Sequence, residues 1–328
     1  MSRLKVVGAG SWGTALAIAL APRFEHVELW GRDAALVAAM NRERENARYL
    51  AGFPLPANVQ ATTSFESAAD FVLNVVPSQH TRQVFSGFRI NAGAQLVSAS
   101  KGIEKGTLMR VSQLMAEVTG RPGIGRQVAV LSGPSFAREV ASGEPAAMVV
   151  AAAEPALAAA VQEAFSTPLF RLYTSADVVG VELGAALKNV IAIAAGVVQG
   201  LGLGSNTRAA LIARGLAEIT RLAVAMGAEA RTLSGLAGLG DLVLTCTGEL
   251  SRNRRVGMEL AQGKALSDIL QGMGMVAEGV DTTVAALELA ERHHVEMPIT
   301  SQVAVLLRGE QSPAEAIRQL MVRSLKSE

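Results

Sequence analysis

Cysteine, aromatic residues and an excess of charge of either sign are all scarce in this sequence of 328 residues. Cys246 is the only cysteine, so the chain cannot form an internal disulfide, and a reducing compartment suits it. The formal net charge is +1, which argues against a general binder of nucleic acid or of anionic membranes. Aromatic residues make up 4% of the chain, so the core must consist mainly of aliphatic side chains.

Targeting and membrane-spanning patterns are also missing. The first residues lead directly into a strand-like run, which leaves no room for a signal peptide. The most apolar stretch, 189–204, contains Gln199 and four glycines and is short for a bilayer. We therefore expect a cytoplasmic protein with no membrane span and no nucleic-acid partner.

The periodicity of the apolar residues predicts two domains. Up to residue 176, strand-like runs alternate with helical ones, as is typical of a doubly wound, mostly parallel sheet of the Rossmann type. From residue 177 the runs are long and helical, and glycines interrupt them. We predict an α/β dinucleotide-binding domain over 1–176 and an all-α substrate and catalytic domain over 177–328. The main predicted strands are 4–7, 27–30, 71–76, 95–98, 128–132, 147–151 and 170–173, and the main predicted helices are 34–44, 107–119, 155–165, 177–199, 206–226, 252–262, 279–293, 297–308 and 313–323.

A glycine-rich turn follows the first predicted strand. Gly8, Gly10 and Gly13 have the G-x-G-x-x-G spacing, in which the glycines permit the turn, the approach of a pyrophosphate and the packing of helix on strand. The alanine-rich run that follows predicts a helix, whose N-terminus favours phosphate. Because a strand precedes the turn and a helix follows it, a dinucleotide site is favoured over a turn without a ligand.

Polar residues follow three later strands. They are Pro77-Ser78, Ser100-Lys101-Gly102 and the run from Gly133 to Ala137. Ligands of open α/β sheets bind outside the carboxyl ends of the strands, so we expect these residues and the glycine-rich turn to face one crevice. Lys101 is the strongest candidate for ligand contact, against the alternative of a solvated loop residue.

Lys188 is the most informative residue of the helical half. On a helix its neighbours at 184, 185, 191 and 192 are Gly, Ala, Ile and Ala, which offer no local ion pair and let another backbone come close. A charge in such a stretch needs a partner from elsewhere or a lowered pKa. We favour a functional acid or base over a lysine that snorkels to the surface.

Two further clusters accompany it. The run from Gly235 to Leu242 resembles a second glycine fingerprint, but the spacing is wrong and no strand precedes it, so we predict a tight turn that positions Asp241. The run from Ser251 to Arg255 opens a helix with arginines, which the helix dipole disfavours unless an anion is bound there. A phosphate is the natural candidate.

The choice between NAD and NADP depends on Arg32 and Asp33, which end the second strand side by side. An acidic residue at this distance from Gly13 commonly binds the ribose of NAD. Asp33 could equally cap the next helix, which would leave Arg32 to meet the 2′-phosphate of NADP. We expect NADPH to be preferred and NADH still to be used. His26 and His80 have no spaced Cys, His or carboxylate partners, so no metal site is predicted. His293 and His294 close a predicted helix, where a cation is ordinary.

Taken together, the motifs resemble the bacterial NAD(P)-dependent glycerol-3-phosphate dehydrogenase family from end to end. The chain departs from the family's pattern at Gln79, where histidine is frequent, and at Ala51, where proline is usual. The matching stretches are Gly8–Ala15, Trp30–Arg32, Asn74–Ser78, Ser100–Gly102, Gly133–Ala137, Glu182–Asn189, Arg214-Gly215, Gly238–Leu242, Ser251–Asn253 and Val276–Gly279.

The resemblance implies reversible hydride transfer between a nicotinamide cofactor and dihydroxyacetone phosphate, which gives sn-glycerol 3-phosphate for glycerophospholipid synthesis. It implies that Lys188 is the general acid and base. The implied substrate residues are Lys101, Gly133, Ser135, Lys188, Asp241, Ser251, Arg252 and Asn253. Beside the three fingerprint glycines, the implied cofactor residues are Ser11, Trp12, Arg32, Lys101, Ala137, Arg252, Val276 and Glu278.

Two alternatives stay open at this point. One is a related two-domain dehydrogenase of a small hydroxyacid, which would not need a phosphate site at Ser251–Asn253. The other is a non-catalytic dinucleotide-sensing protein, which would not need a lysine at position 188. The sequence also leaves the assembly open between a monomer and a homodimer.

Overall fold

The computed structural model describes residues 2–120, 128–273 and 277–324. The chain forms two compact units, one of Met1–Lys101 with Met109–Val181 and the other of Gly102–Leu108 with Glu182–Glu328. The short segment 102–108 thus belongs with the C-terminal unit, although the sequence places it among elements of the first.

The first unit is built on an eight-stranded sheet. Two short strands, β4 and β6, form a separate parallel pair. In chain order the strands are β1 (Arg3–Val7), β2 (His26–Trp30), β3 (Val59–Thr62), β4 (Glu66–Ser67), β5 (Phe71–Asn74), β6 (Arg89–Ile90), β7 (Gln95–Ser98), β8 (Val128–Ser132), β9 (Ala146–Ala151) and β10 (Phe170–Ser175).

The order across the large sheet is β3-β2-β1-β5-β7-β8-β9-β10. The first six of these strands are parallel, whereas β9 is antiparallel to β8 and parallel to β10. The predicted doubly wound, mostly parallel sheet is confirmed. The chain adds strands on one side of β1 and then on the other, so a switch point of the kind that binds ligands lies between β1 and β5.

Different helices cover the two faces of this sheet. Alternation along β1 and β5 sends Val6 and Leu73 into one core cluster and Val7 and Val72 into the other. The first cluster includes side chains of α1 and α6, and the second includes side chains of α3 and α4. The helices are α1 (Ser11–Leu20), α2 (Ala34–Glu43), α3 (Ser78–Phe85), α4 (Val111–Val118), α5 (Ala137–Ala141) and α6 (Pro155–Phe165).

The prediction missed the short elements α3, α5, β4 and β6 of this unit, and it was also wrong at two further places. The helix predicted over 107–119 begins only at Val111, because Gly106 (φ +80°) and Leu108 (φ 60°) lie in the left-handed region, through which no α-helix continues. Strand β3 was not predicted, since its four residues offer only Val59 and Ala61 as an apolar alternation.

Helices are the named elements of the second unit among its described residues, as predicted, and loops and the segment 102–108 connect to them. A π-helical turn, Leu236–Gly240, precedes α10. The first of its helices, α7, begins in the first unit and continues into the second. The helices are α7 (Val178–Gly200), α8 (Ser205–Ala225), α9 (Ala230–Leu233), α10 (Asp241–Thr247), α11 (Arg252–Ala261), α12 (Leu266–Met273), α13 (Glu278–Arg292), α14 (Pro298–Leu307) and α15 (Pro313–Met321).

Helix α7 is the main core helix. It agrees with the helix predicted over 177–199. Its length and composition would suffice to cross a membrane, but 94% of its most apolar window is buried inside the protein. Glycines bring α11 against it, because a Cβ on Gly196 would lie 1.9 Å from the Arg254 oxygen and one on Gly257 would lie 1.9 Å from the Ile193 oxygen. Residues near the start of α11 are therefore held firmly against α7.

Candidate functional site

The glycine-rich turn has the geometry that its spacing predicts. Gly8 has φ +125°, and a Cβ there would lie 2.9 Å from the Val75 carbonyl carbon and oxygen. A Cβ on Gly13 would lie 1.9 Å from the Gly8 oxygen, so the helix can pack on the turn only with glycine at that position. By contrast, a Cβ on Gly10 would meet nothing within 4 Å, which leaves room in front of the turn for a pyrophosphate.

The residues around this turn fit a dinucleotide. Helix α1 begins at Ser11, directly after Gly10, and has no acidic residue in its first turn. The indole Nε1 of Trp12 is a buried donor that finds no acceptor among the described residues, as expected of a group that awaits a ligand. The Ser11 hydroxyl donates to the Tyr49 carbonyl oxygen at 2.7 Å and so fastens the 46–50 loop to the turn.

Asp33 caps helix α2, one of the two roles left open by the sequence. Its carboxylate accepts the backbone N–H groups of Ala35 at 3.0 Å and of Leu36 at 3.1 Å. The Leu36 N–H is the main cause that lowers the pKa of Asp33 below its usual value. Arg48 donates to the same carboxylate at 3.2 Å. Arg32 is exposed and makes no ion pair within the described residues.

In the first unit, the polar residues that follow β5, β7 and β8 lie at the carboxyl ends of these strands. Gly133 has φ +151°, and a Cβ there would lie 2.9 Å from the Met148 Cα, so this position too requires glycine. The Ser135 hydroxyl donates to the Gly133 oxygen at 3.1 Å, and Ala137 begins α5. Lys101 is the last residue of its segment of this unit. The polar ends of β5, β7 and β8 therefore lie at the carboxyl edge of the sheet, on the same edge as the glycine-rich turn.

In the second unit, Lys188 meets a partner from a distant part of the chain. Its ammonium contacts the Asp241 carboxylate, 53 residues away, and both groups are buried, with 5% and 1% of their side chains exposed. Thr245 donates from its hydroxyl to the Asp241 backbone oxygen at 2.6 Å. A buried ammonium held against a carboxylate is poised to hold or give up a proton at a fixed position.

Gly184 explains how the two groups meet. It lies one helical turn before Lys188, and a Cβ there would be 2.7 Å from the Ala237 oxygen and 3.3 Å from Leu233 Cδ1. The small neighbour thus lets another backbone come close, as predicted. The prediction of a tight turn was wrong in form, because Leu236–Gly240 is a π-helical turn that leads straight into α10. Such turns are common at functional sites.

The first testable prediction concerns this contact. Gly184→Ala should push the π-helical turn away and move Asp241 from Lys188. We expect turnover to fall by ~10- to 100-fold, since a displacement of about 1 Å in an active site can cost a loss of this size. Gly272→Ala is the matched control, since a methyl group on Gly272 would meet no atom within 4 Å. Steady-state kinetics of both variants test the role, and near-parental turnover of Gly184→Ala would refute it.

The start of α11 gathers the other predicted residues of this unit. The Ser251 hydroxyl caps the helix by accepting the Arg254 N–H at 3.3 Å. Asn253 accepts the Gly279 N–H at 3.0 Å through Oδ1, which places the start of α13, and with it Glu278, beside α11. The side chain of Arg252 is exposed and has no hydrogen bond or ion pair within the described ranges. Val276 lies outside the described residues.

The structure separates the three arginines that the sequence had grouped. Arg255 pairs with Glu259, one turn later on the surface. Arg254 is buried and binds Gln199, a contact that the sequence did not reveal because it joins α11 to α7. Arg252 alone is left to meet an external anion. Cys246 is fully buried, and burial raises the pKa of its thiol to about 12, so it is an inert apolar residue.

Comparisons with known proteins agree with this geometry. The profile of the NAD-dependent glycerol-3-phosphate dehydrogenase N-terminus matches residues 3–158, and that of the C-terminus matches residues 177–318. The chain is 54% identical over 331 residues to the glycerol-3-phosphate dehydrogenase [NAD(P)+] of Geobacter sulfurreducens, which covers 99% of this chain and 98% of the relative.

Solved structures are similar over the whole length. The crystal structure of glycerol-3-phosphate dehydrogenase from Coxiella burnetii has a TM-score of 0.92 at 39% identity and covers 98% of this chain and 99% of its own. The enzyme of that name from yeast, Saccharomyces cerevisiae, has a TM-score of 0.82 at 26% identity, with 97% and 99% coverage.

Proposed function

This chain belongs to the NAD-dependent glycerol-3-phosphate dehydrogenase family, and from that premise we propose roles for its residues. The enzyme reduces dihydroxyacetone phosphate to sn-glycerol 3-phosphate with NADPH or NADH, reversibly, and so feeds glycerophospholipid synthesis. The proposed division of labour is a dinucleotide-binding domain over 1–176 and a substrate and catalytic domain over 177–328.

Lys188 is the proposed proton donor. When bound, the nicotinamide supplies the hydride. As the carbonyl carbon of the substrate gains hydride, its oxygen takes on negative charge, which an ammonium can stabilise and then neutralise with a proton. The observation that carries this assignment is the buried contact between the Lys188 ammonium and the Asp241 carboxylate, which orients the ammonium.

The N-terminus of α11 is the proposed site of the substrate's phosphate. Arg252 stands exposed in its first turn, where only an anion makes a cation favourable, and Ser251 and Asn253 flank it. By resemblance, Lys101, Gly133 and Ser135 contribute further substrate contacts from the carboxyl edge of the sheet. A phosphate site also favours this family's substrate over the small hydroxyacids of the alternative dehydrogenases.

The proposed cofactor site begins at the turn of Gly8, Gly10 and Gly13. Trp12 Nε1 is available to an acceptor on the dinucleotide, and Ser11 opens the helix that faces its phosphates. Ala137, Lys101, Arg252, Val276 and Glu278 are assigned to the cofactor by resemblance alone.

The experiment that tests the assigned substrate is a comparison of oxidised substrates at one NADPH concentration. We expect rapid loss of nicotinamide absorbance with dihydroxyacetone phosphate and almost none with small 2-oxo or 3-oxo acids. Comparable rates with an oxoacid would favour the alternative dehydrogenase. No loss with any of them would favour a dinucleotide-sensing protein.

A preference for NADPH is the second testable prediction. The N-cap role of Asp33 supports this preference, because its carboxylate already accepts two N–H groups of α2, and we assign the 2′-phosphate to Arg32. Arg32→Ala should lower kcat/KM with NADPH by ~1.5–3 kcal/mol, the scale of a hydrogen bond to a charged group, and leave NADH almost unchanged. Arg42→Ala serves as the control, since Arg42 is exposed on α2 and pairs with Glu43. An equal loss with both cofactors would show that Arg32 does not bind the 2′-phosphate.

We also propose that the enzyme acts in the cytoplasm as a homodimer. The single, buried cysteine suits a reducing compartment. Met321 and Val322 leave apolar surface exposed at the end of α15, and closed dimers are the commonest assemblies of soluble chains. Light scattering that gives the mass of one chain at micromolar concentration would contradict the dimer.

A further inference from the structure

Arg254 is a buried cation that is solvated only by neutral groups. Its residue is 6% exposed, although it lies two positions after the exposed Arg252. Nε donates to the Gln199 side-chain oxygen at 2.8 Å, Nη2 donates to the same oxygen, and Nη1 donates to the Gly248 backbone oxygen at 2.9 Å. Within the described part of the chain, no carboxylate pairs with this guanidinium.

The adjacent arginine on the same helix has the surroundings that are usual for a charged side chain. Arg255 is 58% exposed at its side chain and pairs with Glu259 at 2.6 Å, and Lys264 contacts the same carboxylate. The hydrogen bonds from Arg255 and Lys264 hold the pKa of Glu259 below its usual value. A carboxylate thus pairs with the charge of Arg255, whereas none of the described carboxylates pairs with that of Arg254.

A buried charge without an opposite charge is costly, so its presence requires a reason. The neutral partners already accept the N–H groups of the guanidinium. An uncharged side chain could take the place of the guanidinium at a lower cost in desolvation. What the cation adds is positive potential within the protein, where low polarisability makes it strong.

We propose that Arg254 is a positioning residue for the phosphate of the substrate, mainly through its charge and to a smaller degree through its hydrogen bonds. Its hydrogen bond to Gly248 holds the turn that ends in Ser251, the cap of α11, and its hydrogen bonds to Gln199 fix that turn on the helix that carries Lys188. Its charge makes the N-terminus of α11 attract a dianion before the phosphate arrives. This inference rests on the proposed location of the phosphate at α11.

Four variants separate the charge from the packing. Arg254→Met removes the charge and keeps most of the volume, and Arg254→Lys keeps the charge without the planar fork. The single variant leaves the buried Gln199 side chain without its donor, which can destabilise the fold. The double variant Gln199→Met with Arg254→Met removes both buried partners and so avoids this cost. Arg255→Met is the control, one residue away on the same helix.

The probe is inorganic phosphate, whose binding to the parent and to each variant is measured by calorimetry without any turnover. We expect Arg254→Met and the double variant to weaken phosphate binding by about tenfold or more, Arg254→Lys by less than about threefold, and Arg255→Met by less than about twofold. KM for dihydroxyacetone phosphate should rise with the loss of the charge while kcat changes less. A merely structural role would instead lower the melting temperature and leave phosphate affinity unchanged in the folded double variant.

Arg252→Ala, measured in the same way, distinguishes the two possible failures. If Arg252→Ala weakens phosphate binding and neither charge-removing Arg254 variant does, the role of Arg254 is overturned and the phosphate site stands. If Arg252→Ala also has no effect, the proposed phosphate site itself is wrong.

Discussion

Replacement of Lys188 by alanine should lower turnover of dihydroxyacetone phosphate by ~100-fold or more, the usual contribution of a positioned acid or base. Lys188 is buried on α7 and held by Asp241, and no water-exposed lysine could take its place at the same point. Binding of NADPH should stay nearly intact, because the residues assigned to the dinucleotide do not include Lys188. The measurement is steady-state kinetics together with NADPH affinity from fluorescence titration.

Two controls make this result interpretable. Lys264→Ala removes an exposed lysine that pairs with Glu259 and should leave turnover unchanged. Removal of Lys188 leaves Asp241 as a buried charge without its partner, which can cost ~3–5 kcal/mol of stability. The melting temperature and the NADPH affinity therefore have to show that the variant is folded. A folded variant with near-normal turnover would mean that Lys188 is not the proton donor.

Replacement of Arg252 by alanine should have the second largest effect, and it should act on substrate binding. Arg252 is the exposed, uncompensated arginine at the start of α11, so its loss removes a charge-assisted hydrogen bond to the phosphate. We expect kcat/KM for dihydroxyacetone phosphate to fall by ~1.5–3 kcal/mol, about 10- to 150-fold. Arg255→Ala should change it by less than about twofold, as expected of an exposed pair.

The substrate itself gives the complementary test of the phosphate site. Unphosphorylated dihydroxyacetone presents the same carbonyl but no dianion, so it should be a very poor substrate of the parent enzyme. The Arg252→Ala variant should discriminate less between the two compounds than the parent does. Comparable efficiency of the parent with and without the phosphate would refute an anion site at α11.

Much of the first unit could be predicted because its signals are local in the chain. The strand before Gly8, the glycine spacing and the apolar helix after Gly13 are adjacent, and each alone restricts the backbone. The cap was one of the two roles that the sequence left open for Asp33, since a cap is a contact within three residues. Strand β3 was missed because it depends on its neighbour β2 more than on its own short alternation.

The candidate site of the second unit could be predicted only in part. The surroundings of Lys188 showed that its partner had to come from elsewhere, but not that Asp241 reaches it through a π-helical turn seated on Gly184. In the same way, three nearby arginines indicated an anion. The sequence could not show which of them would be free to bind it. Arg254 is held by Gln199, which approaches only when α7 and α11 pack. Contacts between distant segments carry no periodic signal in the sequence.

The most direct test of the assigned reaction is a steady-state assay of the parent enzyme with dihydroxyacetone phosphate and each reduced cofactor, followed at the nicotinamide absorbance band. We expect oxidation of both cofactors with equimolar formation of sn-glycerol 3-phosphate, and a higher kcat/KM with NADPH than with NADH. No substrate-dependent oxidation of either cofactor would contradict it.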